Sequence, residues 1–312
     1  MDRNSVDWTG AMPALTTPFN ENGKIDFDAH AANIERQMAA GATGFVAAGC
    51  TGEFWALSHQ ERAELAAATV DAVAGRGTTI IGTGAILPHE VVAQSEAAAK
   101  AGADAILVVP PYFVRSTDEE IIAHYAAVNR DTALPIVLYN IPGNAGNNLS
   151  PELVLRLADL DKVVAVKESS GNWLQFRRTL MAVKDRIRVY CGPSSVFGVE
   201  AVRAGADGLI DCFPNVWTGC LDIWSATRNG EDERAQKLQA TGLALTDLFT
   251  SDGRTLYPAT KAAMSYLGYA GGGPLRLPLL SLKGPALDGL YDGLVSILGS
   301  DIQNVAVGEA AS

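Results

Sequence analysis

The segment Val163-Val164-Ala165-Val166-Lys167-Glu168-Ser169 decides the fold prediction, because four apolar residues lead directly into a lysine. A continuously apolar run is typical of a parallel strand whose two faces are both covered. A lysine at the end of such a strand is buried, which is rare without a partner or a purpose. Desolvation lowers its pKa and so increases the fraction of neutral amine able to attack a carbonyl group. Lys167 is therefore a candidate Schiff-base lysine, although its position alone equally allows an ion pair with a carboxylate such as Glu53.

Eight β-rich runs, this one included, alternate with amphipathic helical stretches. These units predict an α/β protein with a (β/α)8 TIM barrel over residues 1–230. Residues 231–312 read as further helices, broken by the loop 271–274, and we expect this C-terminal helical extension to pack on the barrel as one structural unit. A doubly wound open sheet is the alternative, and the even spacing favours closure. The predicted strands are Met12–Phe19, Thr43–Gly49, Thr79–Thr83, Ala105–Pro110, Pro135–Ile141, Val163–Lys167, Ile187–Cys191 and Gly208–Phe213.

Local signals mark where the helices between these strands begin and end. Ser58–Glu61 and Thr117–Glu120 have the pattern of capping boxes. Ser150 precedes Pro151, which places an N-cap before a proline at the first helical position. Glycines stand where three helices must stop, at Gly41, Gly102 and Gly205.

Composition excludes several classes of partner. The formal net charge is -11 and no basic cluster is present, so nucleic acid would be repelled. No apolar run is long enough for a membrane span, and the first residues lack the apolar core of a secretory signal. Four scattered cysteines and four scattered histidines predict a reduced, cytoplasmic protein without a metal site. Gly82-Thr83-Gly84 begins like a dinucleotide fingerprint, but Leu87 replaces the third glycine, and we expect no cofactor.

Polar residues that follow the apolar runs are the candidates for chemistry, because such barrels carry their active sites at the C-terminal ends of the strands. Tyr139 ends the fifth run, and a phenol there can move protons to and from an iminium intermediate or simply pack at the rim. Thr51 lies in the turn Gly49–Glu53, whose hydroxyl and backbone N–H groups can hold a carboxylate or cap a helix. Candidates for the distal end of a substrate are Tyr112, Asn144, Asp211, Phe213 and Asn215.

Taken together in this order, these motifs resemble those of the dihydrodipicolinate synthase/N-acetylneuraminate lyase family of Schiff-base barrel enzymes. The resemblance spans essentially the whole chain. It is carried by Gly49-Cys50-Thr51-Gly52-Glu53, Tyr139-Asn140-Ile141-Pro142, Lys167-Glu168-Ser169-Ser170-Gly171-Asn172, Lys261-Ala262-Ala263 and Leu275-Arg276-Leu277-Pro278.

The resemblance implies a mechanism on a small-molecule substrate. The Lys167 amine would condense with C2 of a 2-oxo acid, and the iminium would act as an electron sink. Tyr139 would carry protons, and Thr51, with Gly49 in the same turn, would hold the substrate carboxylate. The carbonyl group of Ile210, on the last strand, would face the same pocket. The family also implies a homotetramer built from tight dimers.

Three positions depart from the pattern of the synthases in this family. Cys50 replaces a Ser/Thr whose hydroxyl belongs to a proton relay, and a thiol is a weaker hydrogen-bond donor and a better acid. Phe113 stands where the synthases donate a tyrosine across the dimer, and a phenyl ring carries no proton. Asn144 replaces the arginine that holds the carboxylate of the second substrate.

These departures argue against the synthase reaction. We expect a catabolic dehydratase or deaminase, of the 4-hydroxy-pyrroline-2-carboxylate deaminase or deoxy-sugar-acid dehydratase type. A pyruvate-dependent aldolase or dihydrodipicolinate synthase is the alternative. From other classes, the sequence allows a ligand-binding barrel without catalysis. It also allows a flavin- or phosphate-binding barrel with an anion site at Cys191–Ser195, where no basic residue supports the anion.

Overall fold

A computed structural model describes residues 1–299 of the chain. It contains eight parallel strands within that range: β1 (Gly10–Pro13), β2 (Gly44–Ala47), β3 (Thr78–Gly82), β4 (Ala105–Val108), β5 (Ile136–Asn140), β6 (Val163–Glu168), β7 (Arg188–Cys191) and β8 (Gly208–Asp211). From β2 to β8 each strand pairs with the next, and β1 pairs with β8. Backbone hydrogen bonds from Thr43 N to the Ala11 carbonyl and from Leu15 N to the Val46 carbonyl join β1 to β2. The sheet is therefore a (β/α)8 barrel, and the open-sheet alternative is wrong.

Helices separate the strands and continue after the last one. In the described residues they are α1 (Phe27–Ala39), α2 (His59–Val73), α3 (Pro88–Ala101), α4 (Asp118–Asp131), α5 (Pro142–Ala145), α6 (Pro151–Leu157), α7 (Trp173–Val183), α8 (Ser194–Ala204), α9 (Gly219–Arg228), α10 (Asp232–Thr250), α11 (Leu256–Tyr266) and α12 (Pro285–Leu298). Helix α10 packs on α8 and α9, and α12 packs on α10 and α11. These last helices form the C-terminal helical extension.

The local signals in the sequence predicted most helix ends. Ser58 and Thr117 form reciprocal capping boxes with the glutamates three residues later. The Ser150 side chain caps α6 by accepting from Leu153 N. Gly102 and Gly205 end α3 and α8 in the left-handed region, with φ values of 90° and 106°, where a side chain would be strained.

The first predicted strand, Met12–Phe19, is corrected to Gly10–Pro13. Ala14 N still donates to the Asp211 carbonyl of β8, at 2.8 Å, and Ala14 forms a single bridge with Val46 of β2, after which the chain leaves the sheet. The hydroxyls of Thr16 and Thr17 then donate to the carbonyls of Gly271 and Gly52, at 2.9 and 2.7 Å. This segment therefore ties loops to the barrel instead of extending the sheet.

Two apolar layers enclose the sheet. One fills the barrel interior and includes Val137, Ala165 and Ile210, and the other lies between the strands and the helices and includes Val166. The pairing of β5 with β6 shifts by one residue, from Ile136 opposite Val163 to Val137 opposite Ala165. After this bulge, Ala165 and Lys167 face the interior while Val166 and Glu168 face outward.

Candidate functional site

Lys167 is the penultimate residue of β6, beneath the C-terminal mouth of the barrel, and is 6% exposed. It lies opposite Tyr139 of β5 in the strand register, and its Nζ is 4.5 Å from the centroid of the Tyr139 ring. Parallel strands bring these two residues together because both lie at the same level of the sheet. The structure thus unites the two residues that sequence reasoning ranked first.

The Lys167 amine is buried without a carboxylate partner. Among residues 1–299, no Asp or Glu oxygen lies within 4.0 Å of its Nζ. The predicted alternative, a pair with Glu53, is wrong, because Glu53 pairs with Lys261 at 2.5 Å. Burial lowers the pKa of Lys167, and the more distant groups of Cys50 and Asp211 act in the opposite direction. A lower pKa leaves more of the amine in its nucleophilic form.

Glu168 follows Lys167 in the chain but takes no part in the same pocket. Its carboxylate accepts from Asn140 Nδ2 and Ser170 N, both at 2.7 Å, and from Gln175 Nε2 at 3.3 Å. Asn140 also binds both backbone groups of Leu149. These contacts hold the chain after β5 and β6, and so fix the strand ends that carry Tyr139 and Lys167.

A cavity of about 180 Å3 opens above Lys167, and we call it the inner cavity. Besides Lys167, it is lined by predicted site residues from three places in the chain, namely Thr51, Tyr139, and the neighbours Ile210 and Asp211. Thr51 is 7% exposed and Ile210 is fully buried. The hydroxyl of Thr51 and the amine of Lys167 therefore share a small enclosure suited to a compact ligand.

Asp211 lines this enclosure, but its carboxylate is already bound. Oδ2 accepts from Ser194 Oγ at 3.0 Å and from Ser195 N at 2.8 Å, and Oδ1 accepts from Cys212 N at 2.6 Å. The carboxylate therefore caps the first turn of α8. It occupies Ser194 Oγ and Ser195 N of the predicted anion site at Cys191–Ser195, and this negative charge disfavours the binding of a phosphate there. Because both of its oxygens are bound by the chain, Asp211 holds the start of α8 in place.

Cys50 lies between two phenols. It is 6% exposed, and burial raises the pKa of its thiol, while hydrogen bonding to Tyr139 and Tyr257 acts in the opposite direction. Burial also raises the pKa of both phenols. All three groups therefore keep their protons at neutral pH. Gly49 precedes Cys50 and lines a separate narrow apolar gap rather than the inner cavity.

Tyr112 and Asn144 lie in a second enclosure of about 400 Å3, the outer cavity, which Cys50, Trp55 and Ile141 also line. Ile141 borders both cavities, so the outer one lies next to the inner one. None of the described residues that line the outer cavity is Lys, Arg or His. Asn144 Nδ2 donates to Tyr257 Oη at 3.1 Å.

Other predicted site residues lie elsewhere. Phe113 is 93% exposed and lines neither cavity. Phe213 lines the inner cavity, and Asn215 is buried in a separate network with Asn33 and Gln37.

Tyr257 is the residue that sequence reasoning missed. It lies in the first turn of α11 and lines the inner cavity with Lys167 and Tyr139. Its ring packs against Trp55 at a centroid distance of 5.6 Å. The only signal in the sequence was an aromatic residue close to the motif Lys261-Ala262-Ala263. That signal carries no information about which strand ends the residue faces.

Within residues 1–299, no group of three or more His, Cys, Asp and Glu side chains is placed to hold a metal ion. The four cysteines are free and buried. No helix of the described part is long and apolar enough to cross a membrane.

Comparison with known proteins gives consistent results. Residues 7–293 match the model of the Dihydrodipicolinate synthetase family. A protein of Exiguobacterium sp., named 4-hydroxy-tetrahydrodipicolinate synthase, is 32% identical over 280 residues, which cover 89% of this chain and 94% of that protein. A prophage protein of the dihydrodipicolinic acid synthase family from E. coli K12, solved in complex with pyruvate, superposes with a TM-score of 0.88 at 28% identity, covering 94% of this chain and 99% of that one. A dihydrodipicolinate synthase from Acinetobacter baumannii, also complexed with pyruvate, gives 0.86 at 28% identity, with 93% and 98% covered.

Proposed function

The chain belongs to the dihydrodipicolinate synthetase family, and we propose that it is a lyase that forms a Schiff base between Lys167 and a small 2-oxo acid. The observation that carries this proposal is the buried Lys167 amine, which opens into the inner cavity without a carboxylate partner in the described chain. Buried groups with a shifted pKa in a cavity are typical of functional sites. Two similar solved structures are described as holding pyruvate, which is a 2-oxo acid.

The proposed chemistry begins with attack of the neutral amine on C2 of the 2-oxo acid. The carbinolamine that forms loses its hydroxyl group as water, and one proton is needed to do so. Tyr139 lies beside the amine and keeps its proton, so it is placed to deliver one. The Thr51 hydroxyl and the backbone N–H groups of its turn hold the substrate carboxylate. The resulting iminium draws electrons from the neighbouring carbon, where a bond then breaks or forms.

Two finer reactions are supported by different observations. The names of similar proteins favour 4-hydroxy-tetrahydrodipicolinate synthase, and this alternative has better support from the comparisons than the dehydratase or deaminase expected from the sequence. The outer cavity favours the dehydratase or deaminase. With Asn144 and no cation among its described lining residues, it suits a neutral or hydroxylated tail better than a second carboxylate.

Borohydride trapping tests the Schiff base directly. We expect pyruvate and borohydride to add one reduced adduct, mapped by peptide mass spectrometry to Lys167. Lys167→Ala should abolish the adduct, and Lys184→Met, which changes an exposed lysine, should leave it unchanged. A protein that binds pyruvate without any adduct would instead be a ligand-binding barrel.

A substrate panel then separates the finer reactions. Pyruvate with aspartate semialdehyde tests the synthase, sialic acid and deoxy-sugar acids test the aldolase and dehydratase, and hydroxy-pyrroline carboxylate tests the deaminase through release of ammonia. Turnover of aspartate semialdehyde with pyruvate alone would contradict the argument from Asn144. The homotetramer remains our proposal from the family, to be checked by light scattering.

A further inference from the structure

The phenol of Tyr257 borders the inner cavity but has no role in the chemistry proposed above. Its hydroxyl is directed into a cluster with Asn144 and Cys50, and not toward bulk water. Helix α11 carries it there, because Tyr257 lies in the first turn of that helix and borders the inner cavity. The Trp55 ring packs against the phenol ring and limits its rotation. Its place is therefore fixed by contacts from two separate parts of the chain.

The hydrogen-bond direction at Tyr257 determines where its proton points. Asn144 Nδ2 is a donor and has no lone pair to accept with, so it occupies a lone pair on the Tyr257 oxygen at 3.1 Å. The phenolic hydrogen is left free for another acceptor. The Cys50 side chain packs in one cluster with Tyr139 and Tyr257, and its sulfur is the neighbouring group on which both phenols act. The order of groups is then Asn144, Tyr257, Cys50 and Tyr139, with Lys167 beneath the last ring.

We infer that Tyr257 is a proton-relay residue, which acts through Cys50 and Tyr139 to supply the proton needed at Lys167. The inference rests on the proposed Schiff base. Amine, carbonyl compound and one proton give the iminium and one water molecule. Tyr139 gives its proton to the leaving hydroxyl, Cys50 gives one to Tyr139, Tyr257 gives one to Cys50, and Tyr257 takes one from water in the inner cavity, which it lines. Each relay group ends with the proton count at which it began.

The relay lies within one chain. Tyr139, Cys50 and Tyr257 come from β5, the loop after β2 and α11 of the same protein. No residue of a second copy is needed to complete the series, and Phe113 could not contribute a proton to one. The proposed relay therefore differs from one in which a neighbouring subunit supplies the last phenol.

Exchange of pyruvate methyl protons in D2O, followed by NMR, tests this role without knowledge of the natural substrate. Tyr257→Phe keeps the ring against Trp55 and removes only the hydroxyl. We expect a fall of about a hundredfold in kcat for exchange, the lower end of what a positioned proton donor contributes, with an unchanged KM for pyruvate. The pH profile of kcat should also change shape. Tyr125→Phe is the matched control, because its buried phenol binds the Val108 carbonyl outside the site.

The outcomes are distinguishable. Equal kcat and pH profile for Tyr257→Phe and wild type, with a normal Lys167 adduct in both, would overturn the relay and leave the Schiff base standing. Absence of an adduct in wild type would overturn both. Mixing Lys167→Ala with Tyr257→Phe subunits adds a test of the single-chain arrangement. If each site is built from one chain, no site in a mixed oligomer contains both Lys167 and the Tyr257 hydroxyl. The exchange rate of the mixture should then equal the sum of the rates of the two variants. A rate clearly above that sum would overturn the inference.

Discussion

Breaking the ion pair between Glu53 and Lys261 should destabilise the protein far more than breaking a surface pair. The two side chains are 0% and 2% exposed and lie 2.5 Å apart. Lys261→Met leaves the Glu53 charge buried without its partner, which costs about 3–5 kcal/mol in comparable cases. It also removes the hydrogen bond from Lys261 Nζ to the Pro274 carbonyl, worth about 1 kcal/mol.

Urea unfolding measures this loss. With an m-value of about 3 kcal/mol per molar urea, the lower bound corresponds to a midpoint shift of about 1 M. Lys184→Met removes an exposed pair with Asp185 and should cost less than about 1 kcal/mol. Adding Glu53→Gln to Lys261→Met removes the buried charge while keeping an acceptor for Arg276 N, and should recover much of the stability.

Protein concentration must be held constant across these variants, because any subunit association contributes to the measured stability. Equal losses for Lys261→Met and Lys184→Met would refute the reasoning. So would a double variant no more stable than Lys261→Met alone, since the cost would then lie in lost packing and not in an unpaired charge.

Two further predictions concern pH. The charge of Asp211 raises the pKa of Lys167, against the lowering effect of burial. Asp211→Asn should therefore lower this pKa further, so that the rate of pyruvate trapping rises at a lower pH than in wild type. An unchanged pH profile of trapping would contradict this. Burial lowers the pKa of His30 and of His124 from 6.5 to about 4, so the unfolded chain binds these protons first as pH falls. The contribution of each histidine to the free energy of unfolding is complete above pH 6.5 and falls by about 2 kcal/mol by pH 5. His124→Phe should therefore reduce the loss of stability between pH 7 and pH 5 by about 2 kcal/mol, as measured by urea unfolding at each pH.

The strand pattern could be predicted from the sequence because parallel strands covered on both faces are continuously apolar. The same property hides which side chains face inward. In Val163–Glu168 every residue is buried, so alternation gives no direction. The inward position of Lys167 and the outward position of Glu168 depend on the bulge between β5 and β6. Local sequence contains no signal for that bulge.

The candidate site was predictable where its residues directly follow strands. Lys167, Tyr139 and Thr51 meet because the barrel brings its strand ends together. Tyr112 and Asn144 lie in the outer cavity and Gly49 lines a narrow gap, because loops leave the barrel in directions that spacing does not specify. Tyr257 and the partner of Glu53 were missed because they come from α11, whose docking depends on packing across the whole chain.

Helix α11, which contributes to the pocket around Lys167, comes after all eight strands in the chain. All eight strands are complete once Asp211 has been made, but Tyr257, Lys261 and Arg276 follow later. Arg276 binds Glu61 and the Ala56 carbonyl, and Lys261 binds Glu53, so a segment made after all eight strands fastens the turn that contains Thr51. The pocket around Lys167 therefore depends on residues that are synthesised well after the barrel strands and the lysine itself.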